Sequence, residues 1–194
     1  KRGGGAGEMA GRQVAEHGYT AASFLTGFQG TKAVYDAYRT RRAELGLPQP
    51  ALDRFAYAAL IYTGETDEEG YAGARKLMWY VESNKVPPQF TSPPGYHPTA
   101  VTVNAMKGGS AGIFQLFQNP SLEAFMQHGL VFAGNPDSVY QQIVKMYHYV
   151  GGFGHLLIMG QAGFLEHDET VKGMTLFAKE VYPRLKELGP VIVP

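Results

Sequence analysis

The sequence predicts an α/β fold in which parallel strands alternate with helices, and three observations carry that prediction. From Val131 to Leu185 a helix start, an amphipathic helix, a short apolar strand and a second amphipathic helix follow one another within about fifty residues, the cadence of an α/β barrel. Phe55 to Tyr62 is a continuous apolar run of strand length, as expected of a parallel strand. The 25 glycines among 194 residues are roughly twice the usual share and suit many tight turns between strand and helix.

Taken in order, each element has a local cause. Glu8 to His17 is predicted as a short helix and Tyr19 to Phe24 as a short strand. Thr31 to Leu45 is a helix with Val34, Ala37, Tyr38 and Leu45 on its apolar side, closed by Gly46 and Pro48. After the strand at 55–62, Thr66 and Glu69 have the spacing of a capping box for a helix reaching about Glu82. Residues 85–130, rich in Pro, Gly, Asn and aromatics, exceed an ordinary loop and read as a functional insertion with some helix of its own. Asn135 is placed to cap a helix whose first position is Pro136, with Asp137 suiting its dipole. That helix carries Val139, Ile143, Tyr147 and Val150 on one face and stops at Gly151-Gly152. Leu156 to Met159 has no polar alternation, as expected of a strand covered on both faces. Val171, Met174, Phe177, Val181 and Leu185 then mark one helical stripe, with Pro183 set to kink or end it.

Composition excludes several classes. Net charge is zero, which supports neither a nucleic-acid footprint nor an anionic-membrane patch. No run of 18 apolar residues is present, so no membrane span is expected. The absence of cysteine removes disulfides and thiolate metal sites and fits a cytoplasmic protein. The histidines show no ligand spacing, so no metal is expected. Charged residues, at 18%, are sparser than usual and point to a surface that meets another chain, a homo-oligomer being the expectation.

Strand counting shapes the domain reading. An implied strand before Gly3, then 19–24, 55–62 and 155–159, each followed by helix, make four βα units, half of an eightfold barrel. Half a barrel leaves edges open and its apolar lining wet. The expectation is therefore a single domain over 1–194 that forms the C-terminal half of a (β/α)8 barrel with an insertion before the last βα unit. The chain opens on Lys1 without an initiator Met or a signal-peptide pattern, and the N-terminal half is expected to be missing from it.

Candidate binding residues lie where strands meet helices. In Gly3-Gly4-Gly5-Ala6-Gly7-Glu8 small residues let the backbone approach a ligand, and the helix that follows offers free N–H groups, an arrangement that holds a phosphate without a lysine. Gly5 to Ala10 also fits G-x-G-x-x-A, but a dinucleotide-binding fold needs an acid about 20 residues on, and no Asp or Glu occurs between His17 and Tyr35. Ser23, Phe24, Leu25 and Phe28 follow a strand at the end where barrel sites form, and Met159, Gly160 and Gln161 end the last strand. Glu166-His167-Asp168-Glu169 opens a helix, where acids suit the dipole without any catalytic role. Phe90, Tyr96, Phe114 and Phe117 in the insertion suit either a lid or an interface.

The glycine loop with Glu8, the helix ending Ala15-Glu16-His17-Gly18-Tyr19, the Glu65-Thr66-Asp67 and Ala133-Gly134-Asn135-Pro136 helix starts, the Gly152 to Gly160 strand and the closing Leu176 to Val181 helix together resemble the C-terminal half of the bacterial-luciferase-like flavin-dependent monooxygenases. The resemblance implies a barrel that takes reduced FMN from a separate flavin reductase and uses O2 to oxygenate a small organic substrate. It implies phosphate contact at Gly4, Gly5, Ala6, Gly7, Glu8 and Met9, made through backbone amides because Ala6, Gly7 and Ala10 stand where the family has hydroxyls. Phe24, Met159 and Gln161 are the candidate substrate-pocket residues. No catalytic residue is assigned, since the resemblance puts much of that chemistry on the earlier strands. A deazaflavin-dependent hydride-transfer oxidoreductase and a noncatalytic flavin-binding subunit are the alternatives.

Overall fold

The computed structural model describes residues 6–83, 116 and 120–189. Seven helices and four strands lie among them: α1 (Ala6–Glu16), β1 (Ala21–Phe24), α2 (Gly27–Glu44), β2 (Phe55–Thr63), α3 (Asp67–Ser83), α4 (Leu122–Gln127), β3 (Val131–Gly134), α5 (Pro136–Tyr149), β4 (His155–Met159), α6 (His167–Leu176) and α7 (Tyr182–Leu185). A π-helical turn at Phe177–Val181 joins α6 to α7, and Pro183 sits in the first turn of α7. The wide turn thus absorbs the proline that the stripe carries.

All strand pairs are parallel and all involve β2. Ala56 pairs with both Ala22 and His155, so β1 and β4 flank β2 on opposite edges. Leu60 pairs with both Val131 and Met159, so β3 continues β1's edge at the upper end of β2. The sequence pattern marks Val131–Gly134 only as a helix lead-in; it is a strand because Leu60–Thr63 offers it a free ladder. The continuous run at 55–63 is the central strand, buried along nearly its whole length, as its apolar pattern predicted.

Residue parity sorts the sheet into two faces. One face carries Ala21, Phe55, Tyr57, Ala59, Ile61 and Phe132, packed against α1, α2, α5 and the Phe177–Val181 turn. The opposite face carries Leu60, Tyr62, Val131 and Ala133, packed against α3 and α4. At its lower end that second face is open among the described residues: Ala22 is exposed and Leu157 is 49% exposed.

This arrangement corrects two expectations. Leu156–Met159 is not covered on both faces, because nothing among the described residues pairs with or packs over its outer edge. The stripe Val171, Met174, Phe177, Val181 divides, with Phe177 and Val181 buried but Val171 and Met174 about half exposed. Helices α3 and α4 both sit on the second face, and α5 is the helix that returns to the first. Most of the insertion read at 85–130, with its aromatic residues 90, 96, 114 and 117, lies outside the described residues.

Local signals place the helix starts. Asn135 Oδ1 accepts the Ser138 N–H at 2.9 Å, with Pro136 at the first helical position. Glu166 and Glu169 close a capping box that starts α6, which accounts for the acids there. At α3, Thr66 Oγ1 accepts the Glu69 N–H, while Glu69 reaches back to the N–H of Glu65, one residue before the expected position.

Helices α1 and α2 run side by side in the same direction, Gly7 near Val34, Gly11 against Val34 and Ala37, and Glu16 bonded to Arg41. Glu44 accepts from Arg12 and Arg41, and those hydrogen bonds hold its carboxyl at about 2 against an ordinary 4.5. A depressed carboxylate stabilises the fold above its ordinary pKa and loses that contribution as pH falls through the folded value. Glu44→Gln is therefore expected to flatten the acid limb of the stability curve between about pH 4.5 and 2, read by urea midpoints across that range. An unchanged limb would show that this exposed triad adds nothing to the α1–α2 contact.

Candidate functional site

The upper rim, where strands end and helices begin, is built from residues with small side chains and close backbone contacts. Gly64 N–H donates to Gly134 O at 2.9 Å, and Asp67 Oδ1 accepts the Asn135 N–H at 2.8 Å. These bonds lash the start of α3 to the start of α5. A methyl group at Gly70 would fall on the backbone of Gly134, so the two helix starts touch main chain to main chain. Tyr62 lies between Gly73 of α3 and Gly173 of α6, and its hydroxyl donates to Glu169 O at 3.1 Å. Lys172 bridges Glu65 and Glu69, while Lys76 pairs with Glu169, so charges tie α3 to α6 around that tyrosine.

The tyrosines of the core are structural. Burial raises Tyr35 and Tyr57 well above the usual phenol range, and they donate to Ala56 O and Gly129 O. Neither serves as a base near neutral pH. The carboxyls of Glu69 and Glu169 are lowered by their lysine partners, Lys172 and Lys76, and stay ionised. No group of three or more His, Asp or Glu suited to a metal occurs among the described residues.

The structure brings some predicted site residues together and separates others. Phe24 and Met159 lie on the same second face, on either side of β2, since Phe24 pairs with Ala58 and Met159 with Leu60. Gln161 is exposed beyond the end of β4. Ala6 opens α1, with Gly7, Glu8 and Met9 in its first turns and the last two exposed, whereas Gly4 and Gly5 lie outside the described residues. Because α1 and α2 run in the same direction, the α1 N-terminus points toward the rim, with Gly7 level with Val34, two turns into α2. Ser23 does not join Phe24: it is buried on the first face. Phe28 also leaves the group, packing edge-to-face on Tyr149 at 5.2 Å beneath Gly129.

One site residue, Tyr80, went unread in the sequence, and one that was read, Leu25, has an unusual backbone. Tyr80 of α3 brings its ring to 6.4 Å from Phe24, so α3 forms a wall over the second face. Leu25, directly after β1, holds φ at 49°, the sole positive value at a non-glycine among the described residues. Such a backbone costs on the order of 1 kcal/mol and tends to occur where function dictates geometry. Helical periodicity marked α3, yet nothing local tells which sheet face a helix will cover.

No family model and no curated protein matches the sequence. Solved structures do match. Monooxygenase RslO1 from Streptomyces bottropensis aligns at TM-score 0.62 and 15% identity, covering 93% of this chain and 46% of its own. The oxygenating constituent of 3,6-diketocamphane monooxygenase from the CAM plasmid of Pseudomonas putida, a type II Baeyer-Villiger enzyme in complex with FMN, aligns at 0.60 and 21%, covering 94% and 46%. The coenzyme F420 dependent tetrahydromethanopterin reductase from Methanopyrus kandleri aligns at 0.57 and 13%, covering 93% and 49%. The chain spans less than half the length of each of these proteins. It shares the parallel α/β fold of these proteins.

Proposed function

We propose that these residues form the C-terminal half of a luciferase-like (β/α)8 barrel acting as an FMN-dependent monooxygenase on a small organic substrate. The observation that carries the reading is the second face of the sheet. Phe24 and Met159 line it near the strand ends, α3 stands over it through Tyr80, and its lower part is exposed apolar surface. In a barrel fold this is the lining beneath the site at the C-terminal rim.

The residues present fit a flavin mononucleotide. Exposed Phe24 and half-buried Tyr80 offer apolar and aromatic surface to a ring, and the first turn of α1, from Ala6 to Glu8, offers backbone N–H groups to a phosphate. Reduced FMN, delivered by a separate reductase, would supply the electrons with which O2 oxygenates the substrate. The chain's part is placement and dryness: α1 orients the phosphate end, while α3 and its tie to α6 through Lys76 and Glu169 keep water from the rim. Glu8 in that turn works against an anion, so amide donation from the small residues Ala6 and Gly7 must outweigh it.

Two further readings rest on specific observations. The F420-dependent reductase of the same fold favours hydride transfer with a deazaflavin. The lack of hydroxyls at Ala6, Gly7 and Ala10 favours a noncatalytic flavin-binding subunit. Titration with FMN by fluorescence quenching, then O2 uptake with reduced FMN and candidate ketones and aldehydes, separates them. Saturable FMN binding with substrate-dependent O2 uptake is expected. Binding without uptake selects the subunit, preference for a deazaflavin selects hydride transfer, and no flavin binding removes all three.

A further inference from the structure

The first face of the sheet holds a cavity across from Phe24 and Tyr80. β4 leaves the ladder at Met159, which pairs with Leu60, so Ile61, Tyr62 and Thr63 have a strand only on the β3 side among the described residues. Helix α6 lies against that end of β2, with Gly173 on the Tyr62 ring. The cavity between them measures about 220 Å³. Ile61, Thr63 and Phe177, all buried, form its floor, and Ile158, Met174 and Tyr182, at 39%, 54% and 51% exposure, form its mouth. Gly160 and Gly173 put no side chain into it, and the wide π-helical turn supplies Phe177 and Ala178 to its wall. Such turns recur at functional sites.

No lining side chain is charged. Thr63 is 1% exposed, yet its Oγ1 has no hydrogen-bond partner among the described residues, whereas the Tyr62 hydroxyl is already bonded to Glu169 O. Buried hydroxyls are almost always hydrogen-bonded, because an unpaired one forfeits its hydration. Thr170, also buried and unpartnered, lies one turn nearer the rim on the α6 stripe of Gly173 and Met174. An apolar chamber with an unpaired hydroxyl in its floor has the composition of a ligand pocket.

We propose that this cavity binds a neutral six-membered ring bearing one hydroxyl or carbonyl, the polar atom bonded to Thr63 Oγ1 and the ring seated among Ile61, Phe177 and Met174. Size and chemistry select that class. A dry apolar cavity of about 150 Å³ holds benzene, so one of about 220 Å³ accommodates a ring with a polar substituent. A charged ligand would lose its hydration against this lining and gain no counter-ion. A hydroxyl or carbonyl satisfies Thr63, and the ring leaves water at no polar cost. The site lies on the opposite face from the proposed flavin surface and does not rest on that reading.

Fluorine NMR titration of the purified full chain tests it with para-fluorophenol, fluorobenzene and para-fluorobenzoate. Expected are saturable binding of the phenol, about fivefold to tenfold weaker binding of fluorobenzene, as loss of one hydrogen bond dictates, and no binding of the benzoate. Thr63→Val removes the hydroxyl and nearly keeps the shape. It should erase the preference for the phenol, leave fluorobenzene binding within about twofold, and leave the melting temperature level or higher, since no partner is lost. Ala178→Leu, at an exposed lip, should weaken both uncharged probes. Absence of saturable phenol binding would show the cavity filled in the folded protein and overturn the proposal. So would a preference that survives Thr63→Val, displacement of the phenol by FMN, or a lower melting temperature of Thr63→Val, which would show the hydroxyl already partnered.

Discussion

Gly70→Ala is expected to destabilise the protein by about 3 kcal/mol, at the upper end of what overpacking costs. An alanine in the interior of a helix normally stabilises it by about 1 kcal/mol over glycine, so the sign of the change discriminates. The added methyl meets Cα, C and O of Gly134, backbone that cannot rotate away. Relief requires α3 to move off β3, which would strain the Gly64 to Gly134 bond and the Asp67 to Asn135 bond at the rim. At about 2–4 °C per kcal/mol for a chain of this size, the melting temperature should fall by about 6–12 °C. The same variant should weaken any ligand held between α3 and the second face. A melting temperature that stays level or rises would show that the helix starts are not in close contact.

Arg39→Met is expected to cost about 2–4 kcal/mol, summing charge-assisted bonds of about 1.5–3 kcal/mol with a ring contact of about 0.5–1. Its side chain is largely buried, and its guanidinium donates to Val150 O at 3.0 Å and Gly151 O at 2.9 Å. The same group lies 4.5 Å from the centre of the Phe55 ring. It therefore joins α2 to the C-terminal end of α5, where unpaired carbonyls favour a cation. Burial lowers the Arg39 pKa, although Asp36 opposes that, and the group remains charged at neutral pH. Arg39→Lys should recover only part of the loss, because one ammonium cannot reproduce a two-pronged donor. Urea unfolding of both variants checks this, and equal stability of Arg39→Lys and wild type would reduce the interaction to a simple charge effect.

Elements governed by near neighbours were readable in the chain. Asn135-Pro136 announced α5, Glu166 and Glu169 announced α6, and the unbroken run from Phe55 announced the central strand. Elements governed by distant partners were not. Val131–Gly134 becomes a strand only through Leu60–Thr63, some seventy residues earlier. Ser23 and Phe24 are adjacent in sequence, yet alternation sends one beneath the helices and the other to the second face. Of the pocket residues, Phe24 and Met159 share that face, while Tyr80, which approaches Phe24, left no mark beyond ordinary helical periodicity.

Taken alone, the order of residues determined where helices begin, which runs are strands of a parallel sheet, and which family's motifs the chain resembles. Caps, periodicity and apolar runs act within a turn or two of chain, so they survive without knowledge of the rest. Tertiary structure alone decided that α3 and α4 cover the face opposite α2 and α5, and that β4 pairs with no strand beyond β2 among the described residues. An amphipathic helix presents the same stripe to either side of a sheet, and a strand shows the same pattern paired or unpaired. Only the packing of far-apart segments chooses between them.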